Sequence, residues 1–336
     1  MTRARGRSGM TVRERIGWTL IALIGVVTLA APMLAPHRAG EQLADRSYAP
    51  PTRVHIWDDG LHPPFIRPMT LVDRLRREYA IHENARVPLF GASENYQFSL
   101  INQPLMIFGG DPLGRDVFSR LVLGARWSLG VTLAGALGAL VLGAIVGGFA
   151  GISGGSADRW LMRAADFVLV LPAVYLVLVL RAMLPLVLST WDVFLLMSAL
   201  FAFAGWPHVA RGVRAIVAIE RKRDYVEAAR AAGAGRTRVL LHVLPATRGF
   251  LAAELVLLIP ALLSAEAAIS FLGLGFPEPT PSWGTALQDA ANVRVMTEAP
   301  WMLAPAVALF VVVLAVQLVG AGAAARATLL PIANSR

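Results

Sequence analysis

The sequence predicts an all-α polytopic membrane protein with six transmembrane helices, and three observations carry that expectation. Hydrophobic residues make up 56% of the 336-residue chain against 16% charged, a balance tilted away from that of soluble domains. Six apolar stretches have, or come close to, the roughly 17 to 25 residues that cross about 30 Å of hydrocarbon. The basic residues gather between these stretches and seldom within them.

Residues 16–34, 127–152, 193–210 and 299–325 contain no Asp, Glu, Lys or Arg and give the first, second, fourth and sixth spans. The first has a longer apolar region than the roughly 7 to 15 residues of a signal peptide, so it is expected to remain as an anchor. The third, 167–180, is a short clean core between Asp166 and Arg181, whose charges can snorkel to the surface. The fifth, 249–275, holds Glu254 and Glu266. A carboxylate inside a span must line a watery pathway or pair with a neighbouring helix, so both are candidate pathway-lining residues. Their twelve-residue spacing sets them about 120° apart on a helix, so they do not share one face. The second span carries Gly143, Gly147 and Gly151 at intervals of four, a helix-packing stripe with no substrate role.

Orientation follows from Lys and Arg, which are retained on the cytoplasmic side. The N-terminal tail supplies Arg3, Arg5, Arg7, Arg13 and Arg15. The stretch between the fourth and fifth spans supplies Arg211, Arg214, Arg221, Lys222, Arg223, Arg230, Arg236, Arg238 and Arg248 against Glu220, Asp224 and Glu227. With six spans, tail and stretch agree if both are cytoplasmic, which puts both termini inside. Residues 37–110 then fall outside, where Arg is nearly balanced by Asp and Glu. Pro50-Pro51 and Pro63-Pro64 argue against one long helix there, so an extracytoplasmic subdomain is expected. Asp111, Arg115, Asp116, Arg120 and Arg126 read as an amphipathic helix at the membrane surface, structural and not catalytic.

Several function classes are excluded or disfavoured. The chain has no Cys, hence no disulfide, thiolate metal site or cysteine nucleophile. Its net charge of +9 would suit nucleic acid in a soluble chain, but the Arg residues are placed as topology signals and no nucleic acid is expected. Residues 151–155 match Gly-x-Ser-x-Gly, yet Ser153 ends a span and nothing places His208 or His242 beside it, against an intramembrane protease. No stretch fits Gly, four residues, Gly-Lys-Ser/Thr, so the chain is expected to have no ATPase site or cofactor of its own. A passive channel or secondary transporter is disfavoured because no repeat relates the two halves.

The stretch Asp224-Tyr225-Val226-Glu227-Ala228-Ala229-Arg230-Ala231-Ala232-Gly233, continuing to Val243-Leu244-Pro245, resembles the cytoplasmic loop of permease subunits of binding-protein-dependent ABC importers. Gly110-Asp111-Pro112-Leu113-Gly114-Arg115-Asp116-Val117-Phe118-Ser119-Arg120 and the following Gly124-Ala125-Arg126-Trp127-Ser128-Leu129 resemble the segment before the second span of C-type permeases of dipeptide, oligopeptide and nickel importers. So do Asp158, Leu161-Met162-Arg163 and Asp166, the run from Ala265 to Gly275, and Pro279-Thr280-Pro281-Ser282-Trp283-Gly284. Gly233 to Pro245 is one residue shorter than the family pattern, the acidic residues expected after the last span are missing, and the first outer loop is longer. The shorter loop would rotate its two sides by about 100° if the stretch between were continuous helix.

The resemblance implies the type I ABC importer permease fold. Its divisions are a cytoplasmic tail 1–15, a first span 16–34, an extracytoplasmic segment 35–125 and a five-helix core 126–325 with a coupling loop 211–248, then a tail 326–336. It implies half of a translocation pathway, formed with a second homologous permease, ABC ATPase subunits that bind ATP and Mg, and an extracytoplasmic substrate-binding protein. Peptides are the first expected substrate, with nickel or another small solute as the alternative. Tyr225, Glu227, Ala228, Ala229, Gly233 and Pro245 are the expected ATPase-coupling residues. Small, helix-favouring alanines suit a helix that enters a groove, Gly233 permits a sharp exit, and Glu227 would meet a basic residue of the ATPase. Trp57, Asp58, Asp59, Tyr79 and Trp283 belong to the outer segments, where two readings stand equal: a surface for the binding protein, or local folding of the loop.

Overall fold

The computed structural model describes residues 10–57, 60–74, 76–88, 105–171 and 188–329. In chain order the elements are α1 (Val12–Leu34), β1 (Val54–Trp57), β2 (Leu61–Ile66), β3 (Met69–Asp73), β4 (Glu78–Ile81), β5 (Val87–Pro88), α2 (Val117–Ser153), α3 (Gly155–Val170) and α4 (Thr190–Glu220). There follow α5 (Asp224–Ala231), α6 (Arg236–Val243), a 3-10 turn (Leu244–Thr247), α7 (Arg248–Phe271), α8 (Trp283–Ala290), α9 (Val293–Glu298), a second 3-10 turn (Pro300–Leu303) and α10 (Ala304–Leu329). Among the described residues five helical runs are long and apolar enough to cross a membrane: Val12–Leu34, Val117–Ser153, Thr190–Glu220, Arg236–Phe271 and Pro300–Gly322. They coincide with five of the six expected spans. The remaining one, 167–180, begins at the end of α3, and its residues 172–180 lie outside the described residues.

The helices outrun the apolar stretches that announced them. α4 continues to Glu220, so Arg211 and Arg214 are helical residues and the expected loop 211–248 starts later than its charges suggested. A charge ends the stretch that lipid tolerates, not the backbone hydrogen bonding, and Arg is itself a good helix former. Likewise α2 begins at Val117, and residues 110–116 form a turn in place of the expected amphipathic helix.

The chain forms two compact units, the first made of the described residues of Met1–Gly25, Leu129–Ile269 and Leu309–Arg336. Within it, a close seam joins α2 to α4. Gly143 and Gly151 face Val209 and Val217, and Gly147 lies against the backbone of Ala210, where any Cβ would overlap it. Val209, Ala210, Val213 and Val217 are fully buried. In lipid, close backbone approach of this kind supplies the packing that water exclusion supplies elsewhere. α4 is started by a capping box in which Ser189 accepts from the Asp192 amide and the Asp192 carboxylate accepts from the Ser189 amide, each at 3.2 Å. Its far end holds its neighbours through arginines. Arg214 donates to both carboxylate oxygens of Asp158 at 2.9 and 2.5 Å, Arg211 pairs with Asp166, and Arg221 donates to the Ile152 carbonyl at 3.2 Å. The last contact satisfies one of the orphan carbonyls at the end of α2. The hydrogen bond from Arg214 holds the Asp158 carboxyl below its ordinary range.

The second unit comprises the described residues of Val26–Ser128 and Ser270–Ala308. Here the all-α expectation is corrected, because the five strands β1 to β5 form two small antiparallel sheets, ordered β1-β2-β5 and β3-β4. Pro63 and Pro64 sit in β2 where its register with β1 shifts between His55 and Trp57, as suits residues with no N–H to give. Ala49, Met69 and Met106 form a core beneath the β3-β4 pair, and Val117, Ala290, Val295, Ala299 and Met302 form another.

The turn before α2 is organised by buried charge. Asp111 accepts from the amides of Leu113 and Arg115, each at 2.9 Å, and Asp116 caps α2 by accepting from the Ser119 amide at 2.9 Å. The Arg115 side chain, 3% exposed, donates to Asp111 at 2.5 Å and to Glu278 and Asp289 at 2.9 Å each. Arg120 adds a second cation against Glu278 at 3.2 Å. Burial alone would lower the Arg115 pKa, but the three carboxylates raise it. Burial would raise Glu278, yet Arg120 and Arg115 hold it below its ordinary range, whereas at Asp289 burial prevails and the carboxyl is pushed up.

Candidate functional site

Between α4 and α7 the chain builds a short helix, a turn and a second short helix. α5 has Asp224 and Glu227 in its first turn and Arg230 in its last, the arrangement that complements the helix dipole. Val226 is 1% exposed and is the residue α5 buries; Glu227 and Ala228 are exposed and Ala229 half-buried. One apolar peg thus fixes the helix while its small-residue surface stays open. Tyr225, 47% exposed, donates its hydroxyl to Glu220 at 3.2 Å, and partial burial followed by that bond raises its pKa.

The exit from α5 is a left-handed cap. Gly233 has φ +85°, its amide donates to the Arg230 carbonyl at 2.9 Å, and the Ala234 amide donates to Ala229 at 2.9 Å. This paired arrangement closes a helix end and favours Gly, since a Cβ in that conformation costs about 1–2 kcal/mol. Because the stretch is broken here, a one-residue difference between Gly233 and Pro245 does not propagate as a 100° rotation of continuous helix. α6 then buries Val239 and Val243, and Leu240 lies over Gly148 of α2. Pro245 is exposed in the 3-10 turn that leads into α7, and Thr247, fully buried, donates to the Leu244 carbonyl at 2.7 Å.

The structure therefore gathers Tyr225, Glu227, Ala228, Ala229 and Gly233 on one short helix and its cap, with Pro245 on a separate element beyond α6. The carboxylates of α7 differ in setting: Glu254 is half-buried, whereas Glu266 is 0% exposed. Among the outer residues Trp57 is 71% exposed, and Asp58 and Asp59 lie outside the described residues. Tyr79 donates its hydroxyl to the Ser47 carbonyl at 2.7 Å. Trp283 is 3% exposed and donates its ring N–H to Leu121 at 2.9 Å, which makes it a packing residue and not a docking one. Residues 151–155 turn from one helix directly into another, with Gly154 at φ +63°, so the strand-to-helix elbow of a serine hydrolase is not formed. Sequence reasoning missed Val226 as the anchor of α5, although it is the one aliphatic larger than Ala in that helix.

Residues 139–327 match the family described as the inner membrane component of binding-protein-dependent transport systems. The chain is 36% identical over 197 residues to the oligopeptide transport system permease protein OppC of Bacillus subtilis, covering 58% of this chain and 62% of that protein. It is 33% identical over 216 residues to OppC of Lactococcus lactis subsp. cremoris, covering 64% and 72% respectively. With the nickel transport system permease protein NikC of Escherichia coli it shares 38% identity over 213 residues, 63% of this chain and 74% of that protein. The family match takes in the C-terminal part of α2 from residue 139, all of α3 to α9 and nearly all of α10, the elements that build and flank the α5 segment. This chain therefore belongs to the inner membrane components of binding-protein-dependent transport systems, as an ABC importer permease of the oligopeptide and nickel type.

Proposed function

We propose that this chain forms half of the translocation pathway of an ABC importer for di- and oligopeptides and is driven through α5. The observation that carries the reading is a helix pegged by Val226 alone, open along Glu227 and Ala228, and closed by the Gly233 cap between two membrane-spanning runs. Such a helix follows α4 after three residues and leads through α6 to α7, so it is tied to both spans and still free to seat in a groove of a cytoplasmic ATPase subunit, which would bind the ATP and Mg. Closure of paired ATPases would then rock the attached spans as rigid bodies. The remaining partners on this reading are a second related permease and an extracytoplasmic binding protein that selects the solute.

The same reading sets six spans, with the third in 167–180, both termini inside and residues 35–125 outside. The absence of native Cys makes its test direct: single Cys residues placed at Ala228 and at Thr70 are labelled in intact cells with an impermeant maleimide. Labelling is expected at Thr70 and not at Ala228; the reverse pattern would sink the topology. For coupling, Glu227→Lys is expected to cut uptake at least tenfold and to release the ATPase on co-purification while the chain stays in the membrane. Of the two carboxylates of α7, Glu254, partly accessible, is the pathway candidate, and Glu266 serves packing. A nickel substrate is the second reading, favoured by the similarity to NikC. Competition between a labelled peptide and radioactive nickel for uptake by the assembled transporter separates the two.

A further inference from the structure

Arg115, Arg120 and Arg126 sit just before or within the first turns of α2, and their fates differ. Arg115 and Arg120 are neutralised by Asp111, Glu278 and Asp289. Six residues past Arg120, Arg126 points about 120° away from it around the helix. It is exposed, as is Arg38 after α1, and among the described residues neither guanidinium has an acidic partner. Both line one open groove of 340 Å³, together with Leu123, Trp127, Pro279 and Pro281.

The position of this groove along α2 gives it meaning. From Trp127 to Ser153 the helix carries no charged residue, so Arg126 and Trp127 mark the level at which hydrocarbon gives way to headgroups. The Trp127 ring is held against Phe276, centroids 5.4 Å apart. Two planar, permanently charged guanidiniums are suited to one phosphate, to which each can donate in parallel. Leu123 and Trp127 offer apolar contact to the glycerol and the start of the acyl chains, while Pro279 and Pro281 give a stiff wall. We infer that this groove binds the phosphate of an anionic phospholipid headgroup at the membrane surface.

Native mass spectrometry of the full chain in neutral detergent tests this, with dioleoyl phosphatidylglycerol, dioleoyl phosphatidylcholine and inorganic phosphate as separate probes. The anionic lipid is expected to be retained at least tenfold more strongly than the zwitterionic one. That preference is expected to vanish in the double variant Arg38→Ala, Arg126→Ala and to survive Arg53→Ala, which removes an exposed arginine elsewhere. The variant Arg38→Lys, Arg126→Lys, expected to keep part of the preference, separates loss of charge from loss of fold. Equal retention of the two lipids, or a preference that persists in the double alanine variant, would overturn the site. Inorganic phosphate binding as tightly as the lipid would overturn the lipid assignment. None of these readouts involves uptake or ATPase docking, so the result stands apart from the proposed transport function.

Discussion

Residues 111–120 and 220–230 look alike on paper and end in opposite environments. Each is a short run of mixed acidic and basic residues beside a membrane span. In the first, Asp111, Arg115, Asp116 and Arg120 are all about 2% exposed and the cations meet carboxylates brought from far along the chain, Glu278 and Asp289. In the second, Asp224, Glu227 and Arg230 remain in solvent and only Val226 is withdrawn from it. A charge run does not say by itself whether it is a structural lock or a surface for another protein. What decides is whether distant partners complete it, because a buried charge is tolerable only when paired.

The contrast can be broken most severely at Arg115. Arg115→Leu leaves three carboxylates with Arg120 as their one remaining cation in the cluster and is expected to cost about 3–5 kcal/mol, read as a large drop in the midpoint of thermal unfolding in detergent. An unchanged midpoint would mean that the cluster is not the lock described above. A middle-sized effect is expected in the exposed region at its one strained position: Gly233→Ala should cost about 1–2 kcal/mol, confined to α5 and seen as faster amide exchange there. Exchange accelerating across the whole molecule would show that α5 is tied to the core more firmly than Val226 alone allows.

Smaller still is the pH effect at Asp158. Its folded pKa lies below the unfolded value, so its contribution is complete above the ordinary carboxylate pKa of about 4 and is lost as pH falls through the depressed folded value. Asp158→Asn should remove that part of the acid sensitivity in unfolding profiles measured between neutral pH and pH 3. Acid sensitivity identical to wild type would show that the link to Arg214 contributes nothing. Smallest is Lys222→Ala, at an exposed position whose ammonium has no carboxylate partner among the described residues, expected within about 0.5 kcal/mol of wild type in the same unfolding assay.

Much of this was legible beforehand, for identifiable reasons. Uncharged runs such as 127–152 suit lipid, so the spans within α1, α2, α4 and α10 could be read directly, and that within α7 despite its two carboxylates. The turn at Gly233 was legible because few residues other than Gly take its backbone conformation without strain. Helix ends were not, since α4 continues through Arg211 and Arg214 on backbone hydrogen bonds that ignore the change of polarity. The small sheets of 54–88 were missed because short strands interrupted by Pro63-Pro64 carry no clear period-two pattern.

The sequence by itself determined the class of solvent for each segment, the direction of charge asymmetry, and the alanine-rich motif that ends at Gly233. These are local properties, set by a residue and its near neighbours. Only the tertiary structure decided that Arg115 meets Glu278 and Asp289, that Trp283 is buried, and that Glu254 and Glu266 sit in unlike settings. Burial and charge pairing are sums over contacts between residues far apart in the chain, and no window along the sequence contains both partners.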